Sequence, residues 1–420
     1  MKILAKNIGA NLVLQILTFA FPLLTLPYLT QVIGGEAFGL VSYYGVVAGC
    51  FSIFVSFGFD HSATRQVPKL ANDPIKLERL FVQTQLAKCA LIFGSAVVYF
   101  FWLSTRPLDS QAWSIAWASF IVTLGVGLMP NWFLQGKMRL GSIVWLTVWI
   151  RASALILVFY FIKTPQDAWL FPFITGMSII GPSLLGTWGI MRQYQFSWKP
   201  NAWRSIPNLL SNGRWMFGIS LLLFLNQSIS VLLIEHWYSF QEVGVYSLSW
   251  RLMNVVMAFF LGPILTSIFP ISAERLLAQP VKGIQEIQSK TWLILGLLLA
   301  VSLGYFLLVQ TFFDWIFPVE FLSSVRLLGV LLCVPILGLV THMISIQILV
   351  NLGKERVVFY RMVIYSCIGW AGLSLSTYWL GAFGAALGSV ALECILCFGF
   401  IHLFSRHKKR ILAESAEGTE

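Results

Sequence analysis

Four ionisable residues stand inside long apolar stretches: Lys88, Arg151, Arg251 and Glu393. Placing an arginine at a bilayer midplane costs from about 2.5 kcal/mol on insertion scales to over roughly 10 in simulations, so such a group normally faces water, a partner or an anion. Ser247 and Asn254 flank Arg251 at i−4 and i+3, and Thr84 and Ser95 lie at i−4 and i+7 from Lys88, which puts polar company on the same helical faces. Arg151 has Thr147 one turn before it and an apolar turn after it. Three cations against one acid describe a cationic polar cavity suited to an anion with extensive hydroxyl surface. Static pairing with Glu393 is the structural alternative for the arginines, and the long stem of Lys88 could carry its head to the interface.

Glu393 is the acid nearest the centre of a span, and His342 lies beside Thr341 with Ser345 one turn on. Both could exchange a proton or ion during a transport cycle, whereas helix-bridging hydrogen bonds are the commoner fate of such groups. Clustered intramembrane carboxylates are missing, which disfavours a bound metal ion and the extrusion of hydrophobic cations. No catalytic group and no cofactor is expected. Asn226, Gln227, Ser228 and Ser230 make another span polar at its centre. Near the N-terminus Asn7, Asn11, Gln15, Thr18, Pro22 and Thr25 follow at steps of three and four, the spacing of one helical face. That stripe reads as cavity lining, or else as glue between helices, and Pro22 with Pro27 as a hinge, because each proline removes a backbone donor.

The elements that must hold these residues are membrane spans. Hydrophobic residues make up 58% of the 420 and charged ones 11%, outside the soluble range. Apolar windows number about twelve, at roughly 8–33, 38–60, 80–103, 112–135, 141–162, 168–191, 215–236, 243–270, 291–313, 322–351, 357–380 and 384–405. Alternate loops collect 22 of the 28 lysines and arginines, so both termini are expected in the cytoplasm and the net charge of +11 reflects topology rather than nucleic-acid binding. The N-terminal apolar run is too long for a cleaved signal. All six cysteines fall inside spans, and Cys394 with Cys397 is a weak redox or metal signal.

No loop is long enough for a soluble catalytic domain, and Gly136-Lys137 and Gly353-Lys354 lack the rest of a phosphate loop. Instead Gly39-Leu40-Val41-Ser42 matches Gly244-Val245-Tyr246-Ser247, and Ser62-Ala63-Thr64-Arg65 matches Ser272-Ala273-Glu274-Arg275. Gly136-Lys137-Met138-Arg139 likewise matches Gly353-Lys354-Glu355-Arg356, each pair six spans apart. The expected fold class is all-α integral membrane, with about twelve transmembrane helices in two pseudo-symmetric six-helix halves around a central cavity. The halves are 1–205, which includes a cytoplasmic connector, and 206–405, followed by a tail at 406–420. Two such halves can rock about a path between them.

The run from Pro22 to Gly34 followed by Ala37-Phe38-Gly39, then Gly58-Phe59 with Ala63-Thr64-Arg65, resembles the Wzx-type O-antigen flippases of the polysaccharide transporter family. Pro130-Asn131-Trp132-Phe133-Leu134-Gln135-Gly136-Lys137 and Val243-Gly244-Val245-Tyr246-Ser247 are similar too, while Gln31 departs from the arginine common in the family. The resemblance places the chain in the multidrug, oligosaccharidyl-lipid and polysaccharide exporter superfamily. It implies movement of undecaprenyl-pyrophosphate-linked oligosaccharide, an O-antigen or other lipopolysaccharide-type repeat unit, across the bacterial inner membrane by alternating access, coupled to an ion gradient. Polysaccharide polymerase and chain-length proteins would be downstream partners, and membrane lipids its surroundings. A cation-coupled drug or metabolite antiporter is the alternative, and a membrane polysaccharide polymerase or ligase a more distant one.

Overall fold

The computed structural model describes the backbone of residues 2–64, 66–70, 72–137, 141–196, 206–262, 264–265 and 280–417; the side chains of 2–23, 61, 141–145, 212, 280–281 and 407–417 fall outside that description. Every regular element among the described residues is helical. Lys2–Ser56 divides at Gly34 into α1 (2–33) and α2 (35–56), because Gly34 at φ 75° takes a conformation closed to other residues. Then come α3 (Pro74–Ser104), α4 (Ser110–Leu128), α5 (Gly141–Phe161), α6 (Leu170–Tyr194) and α7 (Ile206–Trp237). α8 (Phe240–Val256) runs into a π-helical turn, Met257–Leu261, and is followed by α9 (Pro280–Ile316). α10 comprises Ser323–Leu331 and Cys333–His342 and ends in a second π segment, Met343–Val350. Glu355–Glu417 divides at Gly381, φ 58°, into α11 (355–380) and α12 (382–417).

Nine of the described segments are long and apolar enough to cross a membrane. Leu24–Ser56 holds the end of α1 together with α2, Glu355–Arg406 holds both α11 and α12, and the shorter apolar Leu146–Phe161 supplies α5. The chain is an all-α integral membrane protein. Its helix ends follow local chemistry. Asp73, Asp109 and Ser239 accept N-terminal amides of α3, α4 and α8 at 3.0, 2.8 and 3.4 Å. Gly353 at φ 72° closes α10, with Gly353 N–H on the Val350 carbonyl and Lys354 N–H on the Leu349 carbonyl, both 3.0 Å, the 5→2 and 6→1 bonds of a glycine C-cap. Gly136 does different work from its sequence counterpart Gly353: it lies against Val67, where a Cβ would stand 2.5 Å from the valine Cβ.

The chain divides into two compact units between Leu225 and Asn226, inside α7. In the first unit α4 and α6 cross closely over Gly125 and Gly176; a Cβ on Gly176 would meet the Ile121 carbonyl carbon and the Val122 nitrogen at 2.9 Å. In the second unit α11 and α12 form a hairpin over Gly384 and Gly388, a G-x-x-x-G pair that presses on the α11 backbone at Ser376 and Leu373. A buried network crosses this unit: Ser389 Oγ lies 3.0 Å from Ser230 Oγ and 3.1 Å from the Tyr246 hydroxyl.

Candidate functional site

Pro130 organises the first unit's polar interior. A residue before proline is pushed from helical into extended backbone, and Met129 sits at φ −66°, ψ 125°, ending α4 inside the bundle. The last carbonyls of a helix have no intrahelical donor, and hydrocarbon offers none. Side chains of α3 and α6 supply them. Gln85 Nε2 donates to the Leu128 carbonyl at 3.3 Å and to Thr187 Oγ1 at 3.1 Å, and Ser183 donates to the Gly125 carbonyl at 2.9 Å. Lys88, only 1% exposed, donates through Nζ to the Met129 carbonyl at 3.1 Å. Its charge therefore sits on the negative end of a helix dipole, where a cation is favoured. The cation read from the sequence as a cavity or interfacial group is here held inside the first unit by that carbonyl. Trp132 and Phe133, just past the break, are fully buried against Phe81, and Thr64 donates to the Trp132 carbonyl at 3.1 Å. The Pro-Asn-Trp-Phe motif is thus a wedge that seats the α4 end.

Arg151 lies half-buried at the middle of α5, and it makes no hydrogen bond or ion pair with any other described residue. Ser153 turns back to the Trp149 carbonyl at 2.9 Å, while Thr147 is buried. Asn7, Asn11, Gln15 and Pro22 belong to α1, whose helical backbone is described, but their side chains lie outside the described residues. Inside Lys2–Ser56 the backbone leaves helical dihedrals at Gly34, while the helix runs on through Pro22 and Pro27, the residues read from the sequence as a hinge. Thr30 donates to the Leu26 and Pro27 carbonyls at 3.0 Å, giving polar support to the turn behind the second proline.

In the second unit Arg251 is half-buried on α8. Ser247, one turn earlier, is buried with no hydrogen-bond partner among the described residues, and Asn254 donates to the Trp250 carbonyl at 3.0 Å. Asn226 is 8% exposed with both amide atoms unpartnered among the described residues, whereas the neighbouring Gln227 is exposed. Glu393 on α12 turns its carboxylate towards α10: Oε1 stands 3.5 Å from the place of a Cβ on Gly338, and Thr341, whose hydroxyl donates to the Leu337 carbonyl at 3.3 Å, is its polar neighbour. His342 follows at once, its Nδ1 buried and without a partner among the described residues, and the π segment begins at the next residue. Short π insertions recur at functional sites because they leave carbonyls and side chains out of helical register. All six cysteines are free thiols, and no group of three or more His, Cys, Asp or Glu able to hold a metal occurs among the described residues.

Sequence reasoning thus located the charges but missed their supports. Ser183 and Thr187, four apart on α6, carried a readable signal as one polar face opposite the Pro130 break. Nothing in the local sequence marks either π segment.

Residues 4–276 match the family described as polysaccharide biosynthesis protein. A curated relative from Escherichia coli (strain K12), named "Putative O-antigen transporter", is 22% identical over 417 residues, covering 97% of this chain and 98% of that protein. One of the same name from Shigella dysenteriae is 26% identical over 185 residues, covering 42% of this chain and 44% of that protein. Among solved structures, the lipid II flippase MurJ in an inward closed conformation superposes with a TM-score of 0.74 at 12% identity, over 94% of this chain and 86% of that one. An inward-facing multidrug resistance MATE family transporter of the MOP superfamily gives 0.66 at 13%, over 93% and 98%. At such identities the superpositions establish a shared fold. With its helices, their order and the family match in agreement, the chain is a multi-pass membrane protein that belongs to the polysaccharide biosynthesis protein family.

Proposed function

We propose that this protein is a flippase. It carries an undecaprenyl-pyrophosphate-linked oligosaccharide from the cytoplasmic to the periplasmic leaflet of the bacterial inner membrane, by alternating access and with both termini in the cytoplasm. The observation that carries this reading is Arg151, a cation in the middle of a membrane helix with no anion among the described residues to answer it. A permanently charged guanidinium in that position is balanced by an anionic ligand at a lower cost than by water alone, and two of its donors can grip a phosphate together. A second guanidinium, Arg251, stands half-buried on α8. Polar faces at Asn226 and Asn254, with Asn7, Asn11 and Gln15 from the α1 stripe, suit the hydroxyls of a glycan. The relatives named for O-antigen transport and the flippase among the structural neighbours support the same substrate class. No bond is made or broken, and polymerase and chain-length proteins would act on the delivered product.

Glu393, which faces Gly338 and Thr341 on α10 with His342 next along that helix, is the coupling group of this proposal. The test is a leaflet assay. Purified protein is reconstituted with a labelled undecaprenyl-pyrophosphate oligosaccharide, and a membrane-impermeant reagent reads outward-facing glycan with and without pH or Na⁺ gradients. Translocation above protein-free vesicles supports the reading. A stationary lipid alongside a moving cationic dye would replace it with the antiporter.

A further inference from the structure

A second feature of the second unit stands apart from the charged residues. α9, the π segment of α10 and α12 enclose a crevice of about 280 Å³, close to the lower end of the roughly 300–1,000 Å³ typical of ligand sites. Its walls are apolar: Trp292 and Leu295 from α9, Ile344 and Ile348 from α10, Cys397 and Phe404 from α12. Polar atoms enter at Gln288 and Thr291, one turn apart on α9. The crevice lies where α9 begins, α10 ends and α12 leaves its apolar stretch, so its polar end is at one membrane surface. Exposed Lys282, Lys290 and Arg406 stand at those same helix ends, with the half-buried Glu286 as the acid on that stretch of α9.

Along the apolar walls water finds few partners, and an empty crevice forfeits the dispersion contacts of its lining. A hydrocarbon chain suits its apolar walls. The mouth selects among lipids, because each lysine or arginine near the surface favours an anionic headgroup about fivefold over a neutral one. We propose that this crevice holds an acyl chain of an anionic bilayer phospholipid, with its phosphate among Lys290, Arg406 and the polar end at Gln288 and Thr291. A space of this size takes part of one chain. The lipid would brace α9 against the π segment that follows His342.

The experiment uses the full chain in nanodiscs, with no oligosaccharide present, so its outcome is independent of whether the protein is a flippase. Native mass spectrometry after mild delipidation compares dioleoyl phosphatidylglycerol with dioleoyl phosphatidylcholine and with undecaprenyl phosphate. Wild-type protein should retain one phosphatidylglycerol per chain, and Lys290→Glu with Arg406→Glu should lower that preference at least tenfold. Ile344→Trp, which fills the crevice, should abolish retention. If that variant fails to fold, phosphatidylglycerol carrying a diazirine on its acyl chain must label α9 or α12 in the wild-type protein. Unchanged retention in the charge-reversed protein, labelling confined to other helices, or preferential retention of undecaprenyl phosphate would each overturn the assignment.

Discussion

Replacing Gly388 by alanine tests whether the α11–α12 hairpin positions the acid of α12. A Cβ at Gly388 would stand 2.5 Å from Ser376 Oγ, 2.7 Å from the Leu373 Cα and 3.1 Å from the Leu373 Cβ. The serine hydroxyl can rotate aside, but the Leu373 Cα belongs to the α11 backbone, and ordinary contact begins only at 3.4 Å. The helices must therefore part by roughly 0.7 Å, and a gap of that order forfeits about a quarter to a half of each contact it opens. Overpacking of this kind costs about 1–3 kcal/mol, and a backbone contact belongs at the upper end. Alanine returns about 0.8–1 kcal/mol of helix propensity, leaving a net loss of about 2. Gly372 is the internal control: it lies exposed on α11 with nothing within 4 Å of its Cβ position, so Gly372→Ala should be neutral or up to about 1 kcal/mol stabilising. Denaturant unfolding in mixed micelles should separate the two variants by about 2–3 kcal/mol. Gly388→Ala should also slow transport, since it moves the helix that carries Glu393. Equal stability of the two variants would refute the close crossing and the reasoning built on it.

Arg151→Ala and Arg251→Ala should each insert normally yet lose translocation in the leaflet assay; wild-type flux in a well-inserted variant would remove that arginine from the substrate path. Glu393→Gln keeps the shape of the side chain without its charge, and should leave substrate binding in place while making flux insensitive to an imposed pH gradient. Lys88→Ala orphans the Met129 carbonyl and should destabilise the first unit by about 1–3 kcal/mol, read as a lower thermal midpoint. A stable but transport-dead variant would instead return Lys88 to the substrate. Asp73, outside the spans, is held below the ordinary carboxylate range chiefly by the Lys76 backbone N–H and then by the Lys76 side chain. Its capping contribution is therefore complete above about pH 4 and lost as pH falls through its lower folded-state value. Asp73→Asn should flatten the acid dependence of amide exchange at the start of α3.

The span ends were legible because they obey local rules. Prolines, glycines and capping aspartates punctuate apolar runs whose lengths are set by bilayer thickness, and the structure breaks the chain at Gly34, Asp73, Asp109, Gly353 and Gly381 accordingly. The placing of charge within the spans was legible too, since Lys88, Arg151, Arg251 and Glu393 all fall inside the apolar runs. Which group answers each charge was not. Lys88 meets a carbonyl 41 positions away, freed by a proline on another helix, and Glu393 meets Gly338 and Thr341 across a helix pair. The matching Gly-Lys pairs suggested one role and have two, because Gly353 answers to its own backbone whereas Gly136 answers to Val67. Sequence by itself determined the membrane-spanning helices and the charges they bury, for these follow from the free energy of transferring each residue into hydrocarbon. Tertiary structure alone decided the partners of those charges, the π segments and the crevice beside them, because each depends on how helices distant in the chain approach and on which polar groups that approach leaves to be satisfied.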